Sequence, residues 1–79
     1  GQLVEDAIWY DKITDEIKKI NSKVIRVEIQ ANKENINNII GHKKENIKRL
    51  KDTYALIATV KENDKIRPND FKIKVLEVA

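Results

Sequence analysis

Residues 23–50 read KVIRVEIQANKENINNIIGHKKENIKRL, and the change of hydrophobic period along this stretch decides the fold. From Lys23 to Gln30, Ile25, Val27 and Ile29 alternate with Val24, Arg26, Glu28 and Gln30. A period of two built on β-branched residues is that of a half-buried strand. Asn32 then stands where a side chain can accept a backbone N–H at a helix start, and Ile36, Ile39 and Ile40 give that short helix one apolar face. Gly41 occupies the place of a left-handed helix terminus. After His42, Lys43 and Lys44, a second helix is expected from about Glu45, with Ile47, Leu50 and Tyr54 spaced by three and four.

Working outward, Ala55–Lys61 (ALIATVK) is an apolar run of strand length. A polar loop follows from Glu62 to Asp70 and holds the one proline, Pro68. Phe71, Ile73 and Val75 alternate with Lys72, Lys74 and Leu76, which predicts a last strand. Upstream, Tyr10, Ile13, Ile17 and Ile20 form one helical stripe with Trp9 beside it. Leu3, Val4, Ala7 and Ile8 fall elsewhere on the wheel and define no helix start; they read as residues that bend away or face a neighbouring domain. The predicted order is helix, strand, helix, helix, strand, strand. Ile25, Val27, Ile29, Phe71, Ile73 and Val75 then need a cover over one sheet face.

The 25–29 strand, followed by residues 36–50 (INNIIGHKKENIKRL), resembles the core of the KH family, whose pattern is a strand and then Ile-Ile-Gly-x-x-Gly-x-x-Ile-x-x-Leu. Ile39, Ile40, Gly41, Ile47 and Leu50 match, and the resemblance covers residues 23–78. It implies an α+β fold: a three-stranded antiparallel sheet with three helices on one face, type I in element order. The N-terminal helix would stand in for the usual C-terminal one. The chain is then a single domain, 1–79, with residues 1–22 as the N-terminal helix and 23–79 as the core, and its start reads as a cut from a larger protein. One position departs from the pattern: the family's second loop glycine is Lys44 here. The resemblance implies that loop amides approach phosphates while bases lie in an adjoining groove. A lysine obstructs that approach sterically but adds charge where the phosphate would sit.

Composition sets the outer limits. The 79 residues are 41% hydrophobic and 37% charged, with a net charge of +3 and no cysteine. That mix suits one small globule with a thin core. Lack of cysteine removes disulfides and thiolate zinc sites, and favours an intracellular, cytoplasmic setting. No apolar run approaches bilayer length, so no membrane partner is expected. No Ser–His–Asp set, phosphate-cradling P-loop or partner ligands for a metal at His42 are present, so neither an enzyme nor a cofactor is expected.

The candidate nucleic-acid contacts are Gly41, His42, Lys43, Lys44, Lys48, Lys51, Lys65 and Arg67. Lys44, Lys48 and Lys51 share a helix face, diluted by Glu45 and Asp52. Gly41 equally fits a helix cap, His42 an exposed loop residue, and Lys65 and Arg67 a solvated hairpin loop. With four aromatics, base stacking has little support. Three functions compete. The first is binding of single-stranded RNA or, less favoured, DNA through the Gly41–Lys44 loop. The second is a KH-like domain turned to protein or interdomain contact. The third is a helix-turn-helix in duplex DNA, which Asn37 and His42 at its packing positions disfavour.

Overall fold

A computed structural model describes all residues, Gly1–Ala79. The chain forms α1 (Gln2–Lys18), β1 (Val24–Ala31), α2 (Ile36–Ile40), α3 (Glu45–Tyr54), β2 (Ile57–Glu62) and β3 (Phe71–Val78). A 3₁₀ turn, Lys33–Asn35, leads into α2, and Asn32 caps it by accepting the Glu34 N–H on Oδ1 at 3.0 Å. The architecture is α+β, with three helices against a three-stranded sheet.

The sheet order is β2-β1-β3. β1 pairs antiparallel with β3 and parallel with β2. The sheet is therefore mixed, which corrects the expected all-antiparallel arrangement. The reason is the crossover: α2 and α3 carry the chain back to the starting end of β1 before β2 begins, so β2 must run alongside in the same sense. A second correction follows. β2 and β3 lie on opposite sides of β1, so residues 63–70 are no hairpin loop but a bridge over the C-terminal end of β1. Asparagines hold it there. Asn63 N–H donates to Ala31 O (2.8 Å), Asn32 Nδ2 to Ile66 O (3.1 Å), and Asn69 N–H to Asn35 Oδ1 (2.7 Å).

The core lies between the helices and one sheet face. Ile13, Val27, Ile29, Ile39, Leu50 and Leu56 are its fully buried large side chains. Trp9 belongs to this core, with its ring edge-on to Phe71 at 5.8 Å. An irregularity in pairing between Val24, Arg26 and Val27 lets both valines face inward, although they are an odd number apart. Ile25 is accordingly only half-buried. Val75, expected inside, is 40% exposed. It lies on the outer strand β3, opposite Val27 of the central strand. α1 begins at Gln2, so that Leu3, Val4, Ala7 and Ile8 belong to the helix and do not bend away, and β2 starts at Ile57 because Ala55 turns left-handed (φ 52°, ψ 37°) to end α3.

Candidate nucleic-acid interface

The turn between α2 and α3 is built around one glycine. The Gly41 N–H closes α2 on Asn37 O at 2.9 Å, and Gly41 then takes φ 82°, ψ 162°. That region of backbone space is open to glycine almost alone. Gly41 is buried, and a Cβ there would stand 2.9 Å from the Asn46 backbone nitrogen. The glycine is thus required twice, for its dihedral angles and for the close passage of α3.

His42, Lys43 and Lys44 follow, all exposed. Lys43 (φ 54°, ψ 33°) and Lys44 (φ 61°, ψ 25°) are both left-handed. Lys44 therefore adopts a conformation that glycine enters without strain, and its side chain bears the cost of roughly 1–2 kcal/mol that a Cβ incurs there. Lys44→Gly is expected to stabilise the domain by about 1 kcal/mol, net of the greater freedom of glycine in the unfolded chain. Thermal unfolding followed by circular dichroism would register this as a rise of about 5 °C.

α3 continues the basic surface. Asn46 and Leu50 face inward, while Lys48 and Lys51 are exposed one and two turns beyond Lys44. Arg49 lies on another side of the helix, with its guanidinium 3.9 Å from the centre of the Tyr10 ring on α1. The turn residues His42, Lys43 and Lys44 and the α3 lysines are thus all exposed, in succession along the turn and the helix that follows it. Lys65 and Arg67 do not belong to this succession. Their bridge packs on Asn32 and Asn35, at the entry to α2, whereas the turn is at the exit.

The concavity at the turn opens toward α1. It is a depression of about 210 Å³ whose lining includes Leu3, Asp6, Ala7, His42, Lys43 and Arg49. Below it lies a polar cluster that sequence reasoning missed. Asp6 is 5% exposed, with Oδ2 accepting the His42 N–H at 2.9 Å and Oδ1 accepting Asn38 Nδ2 at 3.0 Å. Asn46 Nδ2 donates to the backbone carbonyls of Asp6 (2.9 Å) and Asn38 (3.1 Å). Every buried side-chain nitrogen and oxygen in the protein has a partner. The only available sign was that Asp6 lies one turn before Tyr10 on the same helix, a signal that depended on extending α1 backward.

No group of three or more His, Cys, Asp or Glu side chains is placed to hold a metal ion, and no helix is long and apolar enough to cross a membrane. Comparison of the chain with known protein families, curated proteins and solved structures gives no match.

Proposed function

We propose that the domain binds single-stranded nucleic acid, RNA in preference to DNA, through the lysine side chains of the α2–α3 turn and the exposed lysines of α3. The observation that carries this reading is the pair Lys43–Lys44, two adjacent non-glycine residues held at positive φ, solvent-exposed at the head of α3. Strained backbone persists where the surroundings impose it, and it gathers at working sites. Here it holds two cations at one corner, and Lys48 and Lys51 extend the charge along the helix. Such a row matches the repeating phosphates of an extended strand. The order of strand, helix, glycine turn and helix supports the same reading through its likeness to the KH core, although the mixed sheet departs from that pattern.

The test is an amide-shift titration of the domain with short single-stranded RNA, single-stranded DNA and duplex DNA. Shifts gathered on residues 41–51, strongest with RNA, are expected. With three to four phosphates neutralised, the logarithm of the association constant should fall against the logarithm of salt concentration with a slope of about −2 to −3. Fluorescence anisotropy at several salt concentrations measures that slope. A flat response to all three ligands at low salt would reject nucleic-acid binding.

One observation favours a second reading, contact with protein or another domain. Leu3, Val4 and Ile8 on α1 are 70%, 62% and 51% exposed, with Val4 and Ile8 one turn apart on one face, on a helix that is anchored through Asp6 and Trp9. The flat titration would select this reading.

A further inference from the structure

β3 (Phe71–Val78) is an eight-residue edge strand that pairs with β1 on one side and with no strand on the other. Part of its backbone N–H and C=O row therefore points away from the sheet, and such a row is a template for one more strand. Proline, which would spoil the template, is absent from it. Cross-strand partners share a face, so the register sorts the side chains. Phe71, Ile73 and Val75 stand opposite the buried Ala31, Ile29 and Val27, on the helix side. Lys72 and Lys74 stand opposite Gln30 and Glu28, on the other face, and neither lysine is in an ion pair. On the helix side lies a depression of about 380 Å³, lined by Ile20, Phe71 and Ile73 and by two acids, Glu16 and Asp70. Its lining takes nothing from β1 or β2, which places it at the β3 margin of the sheet.

We infer that the open edge of β3 is a strand-addition site for an extended segment of another protein in which acidic and apolar residues alternate. Strand addition joins backbone to backbone, and the alternate side chains choose the sequence. Acids on one face of the added strand meet Lys72 and Lys74. Apolar side chains on its other face meet Phe71, Ile73 and Ile20, where Glu16 and Asp70 repel an acid. The two charge patterns together fix which face of the segment turns toward the helices. A second copy of β3 is a poorer occupant. Antiparallel pairing about a two-fold axis at Ile73 sets Lys72 opposite Lys74 twice, and an axis at Lys74 sets that lysine opposite itself. An axis at Val75 brings Ile73 opposite Glu77, in the stretch where β3 pairs irregularly. The site is separate from the α2–α3 turn, which is bonded to Asp6 near the start of α1, about 15 Å along the helix from Glu16. It stands whether or not the turn binds nucleic acid.

The probes are two end-blocked synthetic octapeptides, one alternating Glu and Val, the other Lys and Val. Amide-shift titration of the domain with the Glu–Val peptide should give saturable shifts on residues 71–78, and the Lys–Val peptide should bind there about tenfold more weakly. The double variant Lys72→Glu, Lys74→Glu changes two exposed side chains and should reverse that preference. No shift on residues 71–78 at millimolar Glu–Val peptide would overturn the inference, as would a folded variant with the wild-type preference. Self-association of the free domain by sedimentation, with concentration-dependent shifts on residues 71–78, would overturn it in favour of a second copy. If the variant does not fold, the preference of the wild type between the two peptides decides.

Discussion

Gly41→Ala is expected to destabilise the domain by about 3–5 kcal/mol, through backbone strain and a steric clash that act together. The dihedral angles of Gly41 (φ 82°, ψ 162°) lie where an L-residue with a Cβ is strained by about 1–3 kcal/mol. The added methyl would also stand 2.9 Å from the Asn46 nitrogen and 3.0 Å from Asn46 Cγ. Relief by moving Asn46 is blocked, because its Nδ2 is committed to the carbonyls of Asp6 and Asn38. Moving the nitrogen means moving α3, with Leu50 buried behind it. A globular domain of this length has a total stability of only about 4–12 kcal/mol, so the variant gives up at least a quarter of it and should unfold at a much lower urea concentration. Urea unfolding monitored by the fluorescence of buried Trp9 would measure the loss. A midpoint close to wild type would show that the turn can relax, and that Gly41 is not the constraint described above.

Replacing Lys43 and Lys44 together with aspartate is expected to weaken oligonucleotide binding by at least about 100-fold while leaving the fold intact. The substitution changes four units of charge at one corner and turns attraction for phosphate into repulsion. It is also lenient toward the backbone. Aspartate is among the few non-glycine residues that enter the left-handed region readily, so φ values of 54° and 61° should cost it no more than they cost lysine. Both side chains are exposed, and neither makes a hydrogen bond or ion pair with the rest of the protein. Fluorescence anisotropy with a labelled uridine oligonucleotide reads the binding, and a melting curve reads the fold. Unchanged affinity with an unchanged melt would place any binding surface elsewhere.

Much of the fold was legible because its signals are local. Ile25, Val27 and Ile29 announce a strand by their period, and Ile36, Ile39 and Ile40 announce a helix by theirs, wherever the rest of the chain lies. Gly41 marked the break between two helices for the same reason. The faces of these elements were less secure. Val75 keeps the strand period yet is half exposed, since burial depends on which part of the sheet the helices cover. Ile25 gives up its inward place to Val24 and Val27 through an irregularity of pairing with β3, which no count along one strand can foresee. In the candidate site, the lysines were legible as charge at a turn. Asp6 was not, because a single acid in an amphipathic helix looks like any solvated one until the turn is packed over it.

The amino-acid sequence by itself determined the order of the elements, the apolar stripes that join them into one core, and the glycine hinge with its lysines. Each of these follows from periodicity and backbone freedom within a few residues. Only the tertiary structure decided that β2 runs parallel to β1, that residues 63–70 bridge the sheet end and that an acid thirty-six positions away closes the His42 amide. Those outcomes depend on which distant groups meet once the crossover folds back, and a hydrogen bond between residues so far apart leaves no trace in the local pattern of either one.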